Sequence, residues 1–299
     1  MMTLVAGILL LVQQSRDSVL DRIQARIAQE PGAQVGLAYI DLGTGDTLFL
    51  IADSSFHAAS TMKVPVMIEL FRRAGTGSFR MNQGLLMVNQ FASLVDGSAY
   101  SLDVGSDSDS TLYRRIGDRV PVDTLLRLMI TRSSNFATNT LITLVGGEAV
   151  TRTMRELGAQ RIQVRRGVED GKAFEAGLNN TTTARDLAII LRAIEEGKAA
   201  PPAATREMLG ILLAQEFNEK IPAGLPSGVK VAHKTGEITA VSHDAAIVYP
   251  PGRKPYVLVV LTRGITDGAR SSKLIADISA IVYAHNGAAS GGRLTQVTR

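Results

Sequence analysis

Strand-like alternation is confined to the two ends of this chain, and a long helical middle separates them. Gln34 to Leu42 and Thr47 to Ile51 read as strands around the hairpin turn Gly43-Thr44-Gly45-Asp46. Val229 to Thr235, His243 to Tyr249 and Tyr256 to Thr262 form a second strand-rich group, the last two joined at Pro250-Pro251-Gly252-Arg253-Lys254. Ser60 to Ala74, Val122 to Thr131, Asn135 to Leu144, Glu148 to Leu157, Thr183 to Glu195 and Ala203 to Leu213 read as helices, and from Val122 onward their apolar residues fall three and four apart. Strands at each end can bury their apolar faces only by meeting. The expected fold is therefore α+β: an antiparallel sheet built from N- and C-terminal segments, flanked by helices at Asp17 to Gln29 and Ala269 to Tyr283, with an inserted all-helical lobe. One domain, 16–286, would hold a sheet lobe (16–52 and 215–286) and a helical lobe (53–214), followed by a flexible tail, 287–299. Val95 to Thr111 is polar and turn-rich, a long loop.

Composition removes whole classes of chemistry. The 299 residues contain no Cys, which excludes thiol nucleophiles, disulfides and cysteine-held metals. The 4 His are scattered without an HExxH pair, so no metal or other cofactor is expected. A net charge of +4 without a basic run gives no reason to expect nucleic acid. Leu4 to Val12 is an apolar run too short for a membrane span, which needs roughly 20 residues. It has the length of a signal-peptide core, so 1–15 is expected to direct export, either removed or left as a membrane tether.

Three short motifs carry chemistry. Ser60-Thr61-Met62-Lys63 opens a helix, and residues three apart share a face, so the lysine amine can approach the serine hydroxyl. Serine is a poor nucleophile until a neighbour takes its proton, which a neutral lysine can do. Ser133-Ser134-Asn135 lies between two helices, and Lys234-Thr235-Gly236 lies on a strand. Each alone is commonplace: a capped helix start, a turn, a strand with a glycine.

In this order, on a chain of sheet, helices and sheet, the three resemble the S-x-x-K, S-D-N and K-T-G set of the class A β-lactamases and penicillin-binding proteins. The resemblance covers roughly residues 17 to 286 and implies a β-lactamase/transpeptidase-like fold. It implies Ser60 as nucleophile, Lys63 as proton acceptor, Ser133 as proton relay to the leaving nitrogen, and Asn135 as holder of the substrate's side-chain amide. Thr235 would bind the substrate carboxylate, and the N–H groups of Ser60 and Glu237 would form an oxyanion hole, worth about 3 kcal/mol per donor. Lys234 adds a second cation, which disfavours protonated Lys63 and attracts an anionic substrate. Gly236 would leave room for the acyl group against the strand.

A loop carboxylate decides how the reaction ends, because lactamases of this class release the acyl-enzyme with a glutamate in an E-x-x-L-N stretch. Glu169 follows Asn135 at a suitable distance, but Lys172-Ala173 stands where Leu-Asn is expected. Glu175 begins a true E-x-x-L-N yet lies close to the next helix. If Arg166 marks the neck of the loop, Val168 takes the glutamate's place. Glu169 is the first choice for the deacylating base and Glu175 the second, against a plain solvated loop glutamate. His243, where many lactamases carry an arginine, would lend charge to the substrate carboxylate if protonated, against the commoner case of a histidine packed on its strand. His57 is assigned to packing. The expected function is hydrolysis of a β-lactam by a monomer. The alternative substrate is a D-alanyl-D-alanine peptide of the cell wall, and a peptidoglycan-binding module without turnover stands third.

Overall fold

A computed structural model describes residues 18–291, with side chains described as far as residue 287. The apolar run Leu4 to Val12 and the last eight residues lie outside them. Five strands form one antiparallel sheet: β1 (Gln34–Asp41), β2 (Thr47–Leu50), β3 (Lys230–Ile238), β4 (Val241–Tyr249) and β5 (Tyr256–Arg263), in the order β2-β1-β5-β4-β3. The two ends of the chain meet along β1 and β5, where Gln34 faces Arg263 and Asp41 faces Tyr256.

Alternation within these strands builds a core on each side of the sheet. Val35, Leu37 and Tyr39 of β1 point, with Leu258 and Val260, to helix α1 (residues 18–27) and to the terminal helix. Ala38 and Ile40 point the other way, with Ala245, Ile247 and Val259, into the larger core of the helical lobe. That lobe contains α2 (Lys63–Gly75), α3 (Val122–Thr131), α4 (Asn135–Val145), α5 (Gly147–Glu156), α6 (Gly171–Glu175), α7 (Ala184–Glu195) and α8 (Pro202–Leu213). The last helix, α9, spans Gly268–Gly291.

Four boundaries differ from expectation. Ser60 lies in a 3₁₀ turn, Ala59–Met62, and the α-helix begins at Lys63. β3 continues past Thr235 to Ile238, because Gly236 and Glu237 still pair with His243 and Ser242. The chain leaves α8 at Leu213 but re-enters the sheet only at Lys230, after an irregular stretch with a 3₁₀ turn at Pro222–Gly224. α9 runs to Gly291, through residues expected to be tail; the preceding turns, packed on the sheet, supply the nucleus from which the helix propagates in spite of the glycines.

Phe136 shows how packing reaches the site. It is wholly buried one residue after Asn135 and packs edge-on to Phe91 at 6.2 Å and against Tyr113 at 5.0 Å. Phe136→Ala should cost about 3–5 kcal/mol by urea denaturation. A loss below about 1 kcal/mol would mean that this aromatic group does not anchor α4.

Candidate active site

The segment bearing Ser60 is held from several sides. Phe56 and His57 pair with Thr182 and Thr181, and the Ala58 N–H donates to the Asn180 carbonyl at 2.8 Å. His57 Nδ1 accepts from the Ala59 N–H at 3.0 Å. These contacts hold Ala59 at φ +44°, a left-handed conformation that a residue with a Cβ adopts only when its surroundings impose it. Ser60 follows in the 3₁₀ turn, where side chains three apart eclipse, so Ser60 and Lys63 share a side. Among the described residues the Ser60 hydroxyl makes no hydrogen bond, and the Lys63 amine is engaged elsewhere.

Lys63 Nζ, wholly buried, donates to the Ser133 carbonyl at 2.5 Å and to Asn135 Oδ1 at 2.9 Å, with Ser133 Oγ at 3.1 Å. Lys234, also wholly buried, reaches the same Ser133 Oγ at 3.1 Å and donates to its neighbour's carbonyl, Thr235 O, at 2.9 Å. One hydroxyl therefore lies between two lysine nitrogens, and a proton can pass either way along that line. Ser133 can take this place only with φ at +57°, at the tight turn between α3 and α4. Ser134, the middle residue of the motif, caps α4 by accepting from the Ala137 N–H at 3.2 Å. Burial lowers the Lys63 pKa to about 7 against the opposing charges of Asp107 and Glu169. Burial, and then the charge of Lys63, hold Lys234 well below an ordinary lysine.

β3 closes the other wall. A Cβ at Gly236 would sit 3.1 Å from the backbone nitrogens of both Ser60 and Thr61, so the glycine lets the strand lie against the serine turn itself. Thr235 is buried beside it, and Glu237 lies at the exposed end, its Oε2 accepting from Lys220 Nζ at 3.1 Å. Lys220, 1% exposed, is a third cation here that sequence reasoning missed; Asn218-Glu219-Lys220-Ile221 reads as ordinary polar surface. Burial opposes its charge, but Glu219 and Glu237 outweigh burial and hold it protonated.

His243 does not do what was expected of it. It is wholly buried, its Nε2 lies 2.8 Å from the His57 carbonyl oxygen, and its Nδ1 lies 2.7 Å from the Ser242 carbonyl oxygen and 3.2 Å from the Thr262 N–H. Burial pushes its pKa down to about 4, so it is neutral and braces the serine segment from beneath rather than meeting a substrate.

The loop after α5 is cinched at its neck. Gln163 and Thr181 exchange backbone hydrogen bonds at 2.8 and 2.9 Å, Arg166 donates to Leu178 O and Asn179 Oδ1 at 3.0 Å each, and Asn180 Oδ1 accepts from the Arg165 N–H at 2.8 Å. Above the neck, α4 grips Val168: Asn139 Oδ1 accepts its N–H at 2.6 Å, and Asn139 Nδ2 donates to its carbonyl at 3.0 Å, joined there by the Tyr100 hydroxyl at 3.2 Å. Glu169 follows at φ +61°, exposed, with Oε1 accepting from Asn135 Nδ2 at 2.7 Å and Oε2 3.4 Å from Ser106 Oγ. Glu175 ends α6 with an exposed side chain and joins none of these contacts.

Sequence reasoning also missed Asp107. It accepts from the Asn135 and Phe136 N–H groups at 2.9 Å each and from the Tyr113 hydroxyl at 3.0 Å, pinning the start of α4 from the polar loop. The run Ser106-Asp107-Ser108-Asp109-Ser110 was the available signal, but nothing in it says which carboxylate turns inward. Gly167 supplies a direct test of the grip on Val168, since a Cβ there would fall on the Asn139 side chain, with Cγ only 2.8 Å away. Gly167→Ala should break the Asn139 bonds to Val168, raising amide exchange across residues 165–170 while the strands keep their protection. Unchanged exchange in that segment would show that Asn139 does not hold the loop.

Similarity to known proteins agrees with this geometry. A family model described as the beta-lactamase enzyme family matches residues 18–286. A β-lactamase of Streptomyces albus G is 28% identical over 88% of this chain and 83% of its own length, and β-lactamase AST-1 of Nocardia asteroides is 30% identical over 89% and 83%. The solved structure of PBP-A superposes with a TM-score of 0.79 at 28% identity, covering 91% of this chain and 96% of that one, and a variant of PBP-A is known as an acyl-enzyme complex with penicillin G. With a shared fold, a matching family model over nearly the whole described chain and the three motifs gathered around Ser60, the chain belongs to the beta-lactamase enzyme family.

Proposed function

We propose that the protein is an exported class A β-lactamase-type serine hydrolase that opens β-lactams through an acyl-enzyme on Ser60. The observation that carries the reading is the Ser133 hydroxyl, 3.1 Å from both Lys63 Nζ and Lys234 Nζ beside the serine turn. Neutral Lys63 accepts the Ser60 proton as Oγ bonds to the lactam carbonyl carbon, and the N–H groups of Ser60 and Glu237 stabilise the oxyanion. The carbon–nitrogen bond then breaks. The leaving nitrogen takes the proton of Ser133, which is resupplied from the lysines. Asn135 receives the substrate's side-chain amide, and Thr235, Lys234 and Lys220 receive its carboxylate. Water, losing its proton to Glu169, then hydrolyses the ester. The β-lactamases of Streptomyces albus G and Nocardia asteroides lend support by their names. The apolar run Leu4 to Val12 supports export, which N-terminal sequencing of the mature protein would test.

The grip on Val168 favours a second reading. With Val168 bound by Asn139 and the Glu169 carboxylate turned to Asn135, the protein would be a penicillin-binding peptidase that acts on D-alanyl-D-alanine peptides and holds its penicillin adduct. Time-resolved intact mass with benzylpenicillin, beside Ser60→Ala, separates the two. A fleeting adduct with consumption of excess drug supports the lactamase, and Glu169→Gln should then make the adduct accumulate while Glu175→Gln should not. An adduct on Ser60 that persists for hours supports the peptidase. No adduct overturns both.

The pH dependence has a definite sign. Only neutral Lys63 can accept a proton, and its pKa is lowered to about 7, so the acylation rate should rise with pH through that value and level off above it. Lys63→Arg, permanently charged, should acylate at least about a hundredfold more slowly at every pH. A midpoint near that of an ordinary lysine would remove Lys63 from the proton-accepting role.

A further inference from the structure

The side chain of Asn135 has a fixed orientation. Its Oδ1 accepts from the buried Lys63 Nζ at 2.9 Å, so Nδ2 is the end that faces the cleft. Nδ2 carries two hydrogens, and Glu169 Oε1 already takes one of them at 2.7 Å, in a solvent-exposed bond. The other is left for a substrate carbonyl. Two acceptors on one amide nitrogen, each at ordinary hydrogen-bond length and about 120° apart, lie about 5 Å from each other. The carbon next to the acylamino carbonyl is bonded to the same carbonyl carbon as that oxygen, so a charged substituent on it, turned toward Glu169, comes within about 5 Å of the carboxylate.

We propose that Glu169 is a specificity-determining residue, favouring substrates with a cationic amine next to the acylamino carbonyl and disfavouring those with an anion there. The inference rests on the reading that Ser60 is acylated and Asn135 receives the substrate amide. The other charges facing this place act in known directions. Asp107, fixed on the Asn135 and Phe136 N–H groups, adds negative charge. Lys63 lies behind the Asn135 oxygen, and Lys234 lies beyond Ser133. On the same loop, Lys172 is paired with Asp96 at 2.7 Å, and the Arg166 guanidinium is turned to the loop neck, donating to Leu178 O and Asn179 Oδ1 at 3.0 Å each. Glu169 itself forms no ion pair among the described residues, and the one cation acting on it through space is Lys63, on the far side of Asn135. A unit charge about 5 Å away changes binding by about fourfold even at the dielectric constant of water.

Three penicillins with the same phenylacetyl frame test this at one position: ampicillin with an α-ammonium, benzylpenicillin with hydrogen, carbenicillin with an α-carboxylate. The readout is the second-order acylation rate at about pH 6.5, taken from intact mass where the adduct persists and from kcat/KM for drug consumption where it turns over, and neither depends on deacylation. The wild type should rank ampicillin over benzylpenicillin over carbenicillin, with steps of about fourfold. Glu169→Gln should bring the three within about twofold, and 0.5 M salt should shrink the wild-type spread, as screening requires. Adducts forming at equal rates, or a ranking that survives both Glu169→Gln and salt, would overturn this inference and leave the proposed function standing. Neither adduct nor drug consumption with any of the three would overturn both.

Discussion

Two lysine amines buried without a carboxylate in contact cannot both stay charged, and Lys63 and Lys234 meet at a single hydroxyl, Ser133 Oγ. Much of the molecule can be understood as the apparatus that enforces this meeting. Lys63 comes from the first turn of α2, Ser133 from a left-handed turn between α3 and α4, and Lys234 from the edge strand β3. No two of these are near one another in sequence. Holding them within hydrogen-bond distance takes a stiff sheet with a packed core on each face, one of them shared with the helical lobe. The electrostatic strain is borne by the fold and is available as basicity: a lysine whose burial makes it give up its proton readily lies next to the serine that needs one removed.

Close approach is the second requirement, and it is met by leaving atoms out. Gly236 has no side chain because β3 must lie on the backbone nitrogens of Ser60 and Thr61. Gly167 has none because Asn139 passes there to hold Val168. Left-handed residues serve the same end. Ala59, Ser133 and Glu169 all have φ between +44° and +61°, and each immediately precedes or is itself a residue of the site. Such conformations cost on the order of 1–3 kcal/mol apiece and persist where surrounding contacts over-determine them. Here those contacts include His57, His243 and the Asn135–Glu169 hydrogen bond.

The loop carboxylate shows how a shift of one residue changes chemistry. A loop cinched at Arg166 and gripped at Val168 presents Glu169 to Asn135, on the side where a substrate's acyl group would lie. The same carboxylate is then placed to feel the substrate's charge as well as to take a proton from water. Which of these dominates is a matter of how far a long, exposed side chain can swing, and the mass and rate measurements separate the two.

Sheet, helices and the three motifs were legible in the residues because they depend on local properties: alternation, three-and-four spacing, and residue types at short separation. Boundaries failed where a neighbour from elsewhere decided them. Gly236 and Glu237 extend β3 only because β4 is there to pair with, and α9 runs on because its earlier turns are packed. Lys220 and Asp107 were invisible for the same reason: a lysine in a polar stretch becomes a buried cation only when β3 covers it, and one aspartate among several becomes the cap of α4 only when the loop folds back. His243 stood between two readings, a charge for the substrate and a packed strand residue, and only its burial decides for the second. Sequence alone determined which reactive groups this chain possesses and roughly which element carries each. Tertiary structure decided which of them are charged and which atoms they face, because burial and distance, the two quantities that set a proton's free energy, belong to the folded chain and to no stretch of it.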